Sequence, residues 1–369
     1  MRIAVLVSGG VDSTVALRQL CAEGHDVVAF YLKIWLEDET SFLGSCPWEE
    51  DLQYVRAVCA QVEVPLEIIP FQKEYYEQVV AYTIFEVKAG RTPNPDMLCN
   101  RAIKFGAFFD AVSASFDAVA SGHYAQTVRI CSQEHGERTL AERTLLAVSP
   151  DEVKDQTYFL ARVPRERIAR LVFPIGRFTK QQVRMLAQMY DVPNKDRKDS
   201  QGICFLGSIK FSEFIRFHVG ERSGSLVEWE SKKKVGEHKG FWFYTLGQRQ
   251  GIGLSGGPWY VVAKDSARNI VYVSKEYSLL AQDRTTLDVE SMNWLVDQSM
   301  VDALEGQSVQ IKLRHGPHYN TAVFNKKNNG CMHIVLERPD QGLAAGQIAV
   351  LYHQGFCLGG GVISESAAE

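Results

Sequence analysis

Ser8-Gly9-Gly10-Val11-Asp12-Ser13-Thr14 separates an apolar run, Ile3-Ala4-Val5-Leu6-Val7, from Val15-Ala16-Leu17-Arg18-Gln19-Leu20, whose apolar residues recur mostly at helical spacing. A short continuous run rich in β-branched residues is expected of a central parallel strand covered on both faces. The period changes at the glycines, so the three pieces read as strand, tight turn and helix. Gly9 and Gly10 lack a Cβ, which permits positive φ and lets a ligand lie against the main chain. Backbone N–H groups at the helix start, joined by the hydroxyls of Ser8, Ser13 and Thr14, make this turn an anion site.

Two other glycine motifs fail here on residue type. The GxxxxGK[ST] phosphate loop needs a lysine, and none precedes Lys33; the spacing of the GxGxxG dinucleotide turn is absent. SGGVDS instead resembles the PP-loop of the ATP pyrophosphatase superfamily, whose members split ATP between its α- and β-phosphates to adenylate a carbonyl oxygen. That resemblance implies ATP as substrate. It also suits Asp12 to a magnesium ion bridging phosphates, because hard cations take oxygen ligands.

Outward from the turn, Val27 to Leu32, Leu66 to Ile69 and Ala118 to Gly122 read as further strands, with helices over Leu52 to Val62, Tyr75 to Lys88 and Ala102 to Ala114. Alternation of this kind implies βαβ units and a doubly wound α/β parallel sheet. Ligands collect at the carboxyl ends of such strands, where Ser8, Leu32 and Gly122 fall. Between the third and fourth strands, Pro93 and Pro95 fix an extended loop leading to Cys99. We expect Cys99 at or near a helix start beside Arg101 and Lys104, a setting that favours a thiolate. Arg129 to Leu145 reads as a variable polar excursion off the sheet. Thr179 is the expected N-cap of a helix to Tyr190. The polar loop Lys195 to Phe205 then presents Cys204 among cations and glycine, again favouring a thiolate.

From about Gly220 glycines recur and helical period weakens. Trp259 to Ala263 and Ile270 to Val273 read as a hairpin. Short β-rich runs at Val309 to Leu313, Thr321 to Phe324, Met332 to Leu336, Ile348 to Tyr352 and Phe356 to Ile363 suggest a small barrel or sandwich. We therefore expect a catalytic α/β domain over 1–210, a small central domain over 211–280 and a C-terminal β-barrel over 281–369.

The 369 residues suffice for two or three cores, and 46% hydrophobic with 23% charged residues is ordinary for a soluble globular protein. No apolar run is long enough to span a membrane, and the first strand begins at the N-terminus, so a cytoplasmic location is expected. A net charge of −4 makes no global case for nucleic acid. The basic clusters at Arg162 to Arg170, Arg177 to Arg184, Lys195 to Lys198 and Lys232 to Lys234 are of the kind that more often forms solvated faces. Eight cysteines without a secretion signal suggest thiols in a reducing compartment. Cys21, Cys59 and Cys357 lie in apolar patterns and read as core. Cys99 and Cys204 lie in polar, loop-like contexts.

SGGVDS, NPDMLCN with IKF, SGHYA, KDQTYFL, DSQGICFLG and YTLGQRQGIG, in this order, are similar to the blocks of the bacterial tRNA-specific 2-thiouridylases, the MnmA family. The blocks run from residue 8 to about 253, with weaker similarity to the C-terminus. The resemblance implies replacement of O2 of the wobble uridine by sulfur, with ATP, Mg2+ and a relayed persulfide. It assigns the ATP site to Leu6, Val7, Ser8, Gly9, Gly10, Val11, Asp12 and Ser13 with Leu32 and Gly122. Asn94, Pro95 and Asp96 would face the target base, with Asp96 as general acid/base; Cys99 would be the nucleophile and Cys204 the persulfide carrier. His123, Lys154, Asp155, Gln156, Arg314, His315 and Gln347 match tRNA contacts. The implied partners are lysine, glutamate and glutamine tRNAs and an upstream persulfide relay protein, with no membrane. Leu32 stands where many members carry methionine, which keeps an apolar wall for adenine. Some related sequences carry cysteine where Asp96 stands; two thiolates are fewer than the usual four ligands of an iron–sulfur cluster, which the sequence alone does not support. Two alternatives are a PP-loop enzyme adenylating a small molecule, and a nucleotide sensor with a β-barrel interaction domain.

Overall fold

The computed structural model describes residues 1–34, 48–133, 140–199, 210–276, 285–327, 329–340 and 343–364. Its first sheet is parallel and built on β1 (Arg2–Leu6), which leads through the glycine turn into α1 (Val11–Ala22). β2 (Asp26–Lys33), α2 (Trp48–Gln61) and β3 (Leu66–Pro70) follow, then helical runs α3 (72–88) and α4 (95–112), and β4 (Ala118–Ala120). With β7 (Leu171–Val172) the strand order is β3-β2-β1-β4-β7. Ile3 pairs with Val27 on one side and Ala118 on the other, which centres β1 in the sheet.

The alternation of strand side chains explains why both faces are covered. Ala4, Leu6, Val28 and Phe30 pack toward α3 and α4 residues such as Val79, Ile103 and Phe108. Ile3, Val5, Val27 and Ala29 face the opposite way, against Leu17 and Leu20 of α1 and Val55 and Val58 of α2. The expected doubly wound sheet is therefore present. The helix expected after Thr179 spans Lys180–Met189, here α5, closed by a reciprocal cap between Thr179 and Gln182.

Arg129 to Leu145 leaves the parallel sheet as expected, but it does so as part of strands β5 (Gln126–Gln133) and β6 (Leu140–Ala147), and β6 continues the C-terminal sheet through Leu146 opposite Cys357. Leu146, just past that stretch, is fully buried at this junction.

After α6 (Phe211–Val219), four strands form the central sheet: β8 (Gly224–Glu228), β9 (Lys234–His238), β10 (Tyr260–Asp265) and β11 (Ile270–Ser274), in the order β10-β11-β8-β9. The expected hairpin is the antiparallel β10–β11 pair. C-terminal to it come β12 (Thr286–Trp294), α7 (Gln298–Leu304), β13 (Ser308–Lys312), β14 (Asn320–Lys326), β15 (Met332–Leu336), β16 (Ile348–His353) and β17 (Phe356–Ile363). The order β12-β15-β14-β13-β16-β17 closes on itself through β12–β17, giving a six-stranded barrel.

The barrel is bound to the first sheet by polar groups as well as apolar packing. Arg162 donates to the carbonyls of Ser291 and Gly360, while Asn293 donates to those of Ala161 and Val163, 2.9 Å each. Tyr158 Oη donates to the Ile348 carbonyl at 3.0 Å. At the centre of the junction, Lys312 Nζ lies 3.1 Å from Asp155 Oδ2, with the two side chains only 1% and 2% exposed. Removing one partner of such a pair strands a buried charge. Lys312→Met should lower unfolding free energy by about 3–5 kcal/mol, measured by urea denaturation, and the Asp155→Asn/Lys312→Met pair should recover part of that loss.

Candidate nucleotide and thiol site

A cavity of about 340 Å3 opens at the carboxyl ends of β1, β2 and β4, within the range of small-ligand sites. The glycine turn forms its floor. Gly9 has φ +77°, the left-handed region that glycine tolerates. Gly10 caps α1 without a side-chain acceptor, so the first-turn N–H groups are available to an incoming anion. Ser13 Oγ holds the turn closed, accepting from the Ser8 N–H at 3.2 Å and donating to the Gly10 carbonyl at 3.0 Å. Gly122, just past β4, abuts the turn: a Cβ there would lie 2.7 Å from the Ser13 nitrogen. Leu6, Val7, Ser8, Gly10, Val11, Asp12, Ser13, Leu32 and Gly122, all assigned to ATP from the sequence, line this one cavity. Gly9, the other residue so assigned, lies beneath them and carries its turn.

Asp12 receives a clamp that the sequence did not reveal. Its Oδ1 accepts from Tyr124 Oη at 2.9 Å and from Lys180 Nζ at 2.8 Å. Lys180 Nζ also lies 2.7 Å from Asp199 Oδ1, which Arg184 contacts at 2.5 Å; Lys154 Nζ reaches Asp199 Oδ2 at 2.9 Å. Burial raises the Asp199 carboxyl, but hydrogen bonds and charge from Lys180 and Lys154 outweigh it and hold the group well below the usual range. Burial followed by the Asp12 charge pushes the Tyr124 hydroxyl far up, so it remains a donor. Lys180 and Arg184 belong to a basic cluster read as a solvated face. Their i, i+4 spacing on α5 was the available signal, and it aims both inward.

Cys99 also lines the cavity and is otherwise buried, 1% exposed, within the apolar cluster. It lies near the start of α4, as expected, though past the first turn. Asn94 is the N-cap of α4, accepting from the Met97 N–H at 3.0 Å, and Pro95 takes the first helical position. Cys99 therefore comes one turn later, at the head of the wide π-helical stretch Cys99–Ala107, beyond the part of the helix where the dipole acts most strongly. Cys204 lies outside the described residues.

His123, Lys154 and Gln156 reach the same cavity. The His123 ring sits between Phe105 and Phe173, with Nδ1 2.8 Å from Ser121 Oγ. Gln156 Oε1 accepts from the Tyr124 N–H at 3.0 Å. Asp155 departs from the expectation of a tRNA contact: its carboxylate is buried on Lys312 and Thr157, so it holds its neighbours rather than facing solvent. His315 of the barrel stacks on Phe159 and makes a 3.1 Å hydrogen bond with the Asp155 carbonyl. Arg314 pairs with Asp340 at 2.5 Å. Gln347 lies beside Gly346 and Ile348, which share a small interdomain cavity of about 80 Å3 with Asn94.

Family models match the chain along most of its length: a tRNA methyl transferase HUP domain over residues 1–208, a tRNA methyl transferase PRC-barrel domain over 212–275 and an aminomethyltransferase beta-barrel domain over 284–363. The tRNA-specific 2-thiouridylase MnmA 1 of Bacteroides thetaiotaomicron is 41% identical over 366 residues, covering 99% of this chain and 100% of that protein. The chain belongs to the tRNA-specific 2-thiouridylase (MnmA) family. Similar members occur in Porphyromonas gingivalis, 40% identical over 371 residues and 99% of each chain, and in Parabacteroides distasonis, 40% identical over 98% of this chain and 99% of that protein. This 2-thiouridylase-family fold is an N-terminal parallel-sheet HUP domain of the ATP-using PP-loop class, a small central domain and a closed barrel. Among the described residues no group of three or more His, Cys, Asp or Glu is arranged to hold a metal. Asp12, one of the carboxylates that line the cavity, would hold a magnesium ion together with phosphate oxygens, a donor set of the kind that magnesium accepts. No helix among the described residues is long and apolar enough to cross a membrane.

Two measurements test this site. Gly122→Ala forces a Cβ into the turn and should weaken ATP binding at least about 10-fold by calorimetry, with a stability loss of about 1–3 kcal/mol. Burial, aided by the Lys104 charge, lowers the His123 pKa well below its ordinary 6.5, so the folded state keeps the ring neutral. The unfolded chain takes up that proton as pH drops through 6.5, so the His123 contribution is complete above this pH and is lost below it. The thermal midpoint should therefore fall from pH 7.5 to 5.5, and His123→Gln should flatten the slope.

Proposed function

We propose that this chain is a tRNA-uridine 2-sulfurtransferase that uses ATP to adenylate O2 of the wobble uridine and then replaces that oxygen by sulfur. The observation that carries this reading is that Cys99 lines the same cavity as the glycine turn. Identity of about 40% to named 2-thiouridylases along the whole chain supports it.

A carbonyl oxygen is a poor leaving group, and adenylation corrects this. In our proposal uridine O2 attacks the α-phosphorus while pyrophosphate departs. The N–H groups of the turn and the Lys180 ammonium, which rests on Asp12, balance the charge on the phosphates. A magnesium ion at Asp12 would supply further neutralisation of the departing pyrophosphate. Leu32 borders the adenine, and Asn94, Pro95 and Asp96 face the base, with Asp96 moving the proton.

The terminal sulfur of a Cys204 persulfide then attacks C2, and AMP leaves with the former O2. The Cys99 thiolate attacks the Cys204 sulfur, releasing 2-thiouridine and forming a Cys99–Cys204 disulfide that a two-electron thiol reductant resets. In a second order of events Cys99 first frees hydrosulfide, which attacks C2. Both routes consume one persulfide and yield the same disulfide. Wobble bases lie in a loop, where extrusion from the stack is cheap compared with duplex flipping. Lys154, Gln156, His123, Arg314, His315 and Gln347 are the proposed tRNA contacts, lysine, glutamate and glutamine tRNAs the proposed substrates, a persulfide relay protein the proposed donor, and the cytoplasm the proposed location.

The test combines the protein with ATP, magnesium, cysteine persulfide and an unmodified glutamate tRNA transcript, followed by nucleoside mass spectrometry. ATP-dependent 2-thiouridine is expected, with loss of at least about 100-fold in Cys99→Ser and in Cys204→Ser. Near-wild-type thiolation in both variants would overturn the two-thiol relay. Absence of product with every reagent present would favour an adenylating enzyme for a small molecule. The same spectra separate a sulfur-for-oxygen exchange from a methyl gain, the activity that the matched domain names carry.

A further inference from the structure

The small cavity between the first domain and the barrel, about 80 Å3, is lined by cations that the proposed chemistry does not use. Asn94, Leu98 and Arg101 reach it from one face of α4, while Cys99 and Ile103 of the same helix line the nucleotide cavity. Tyr82, Arg162 and the barrel residue Ile348 also border it. Arg162 is 9% exposed and uses Nη1 on the Ser291 and Gly360 carbonyls, which leaves the rest of its guanidinium to the cavity. Among the described residues neither Arg162 nor Arg101 has an ion-pair partner, and the Tyr82 hydroxyl has no hydrogen-bond partner. Burial, followed by the charge of Arg101, brings the Arg162 pKa down to about 10. The carboxylate nearby, Glu86, is taken by Arg91, whose Nε and Nη2 donate to it at 2.7 and 2.6 Å. Positive charge is therefore left uncompensated around a space of a few water volumes, at roughly 30 Å3 each.

We propose that this cavity is a phosphate-binding site filled by a backbone phosphodiester of the RNA substrate, with Arg101 and Arg162 pairing with its oxygens and Tyr82 Oη donating to it. The choice of RNA as the source rests on the sulfurtransferase reading above. Two guanidinium groups held near each other repel, and an anion between them turns that repulsion into two charge-assisted contacts. The planar fork of arginine matches phosphate oxygens better than an ammonium does. Leu98 and Ile348 keep part of the wall apolar, which strengthens each of these contacts. A backbone source follows from the placement of α4. The helix is about 10 Å across and turns one face to each cavity, so a nucleotide whose base enters beside Cys99 carries its backbone past Arg101. Contacts of this kind set the register of the strand and carry no sequence information. Because Arg162 is tied to barrel carbonyls, the barrel takes part in holding that phosphate.

Equilibrium binding of a labelled, unmodified glutamate tRNA transcript, with neither ATP nor a sulfur source present, tests the site apart from the chemistry of Cys99. Across about 50 to 300 mM KCl, Arg101→Gln should weaken binding about 5- to 10-fold at the lower salt and reduce the slope of log affinity against log salt by about 0.7, the value of one phosphate contact on a single strand. Arg101→Lys should keep the wild-type slope and recover part of the affinity, and Tyr82→Phe should weaken binding about threefold with no change of slope. Arg101 is exposed, so the thermal midpoint of Arg101→Gln should equal that of wild type. Equal slopes for wild type and Arg101→Gln overturn the assignment to RNA. In that event inorganic phosphate, added at constant ionic strength with a non-hydrolysable ATP analogue filling the nucleotide cavity, identifies a free-anion site if it stabilises wild type and not Arg101→Gln, and overturns the anion site altogether if it stabilises both equally or neither. Tight tRNA binding with the expected change of slope but no 2-thiouridine in the reaction described above would overturn the sulfurtransferase reading and leave this site standing.

Discussion

Lys312 and Asp155 give up nearly all contact with water, and desolvating two charges is tolerated only where the pair is well supplied with other polar partners. Such partners are present here: the Ser149 N–H and the Thr157 hydroxyl donate to the Asp155 carboxylate, and the Tyr319 ring lies 4.3 Å from the Lys312 ammonium. The consequence reaches beyond stability. Asp155 is flanked by Lys154 and Gln156, both of which face the cavity, so a barrel residue sets the bearing of two groups on the other domain. From Gln156 the chain of contacts continues through Tyr124 to Asp12. Barrel and glycine turn thus share one polar framework.

The parts of this molecule legible in the sequence were those whose cause is local. β1, the turn and α1 follow from a change of period at two glycines, and the parallel sheet follows from alternation of strand and helix. The reciprocal cap at Thr179 and Gln182 is equally local, four consecutive residues being sufficient to write it. The residues assigned to ATP by resemblance converge on one cavity because strand ends in such a sheet lie side by side.

What escaped the sequence depends on distant partners. Asp155 was read by resemblance as an RNA contact, and only the presence of Lys312 from the barrel shows why it is buried. Lys180 and Arg184 share only their i, i+4 spacing as a local mark, and it is the distant Asp12 and Asp199 that set them apart from exposed cations such as Arg177, whose partner is the exposed Glu23. Strand β12, Thr286–Trp294, alternates few apolar residues, Leu287 and Val289, and its pairing with β15 and β17 defines it more than its composition does. Cys99 was expected at or near a helix start, and Asn94 and Pro95, which begin the helix, put it in the second turn.

Strand β6 bears on the order in which the molecule can be assembled. Its hydrogen-bonding partner, β17, is made about two hundred residues later, since Leu146 waits for Cys357. During synthesis the parallel sheet can close as soon as β7 has emerged, yet the β5–β6 hairpin must stay as an unpaired edge until the last strand of the chain is complete. Edges of this kind attract wrong partners. A ribosome that stops within the barrel therefore leaves a finished nucleotide domain carrying an adhesive flap, so completion of the final strand also seals an aggregation surface.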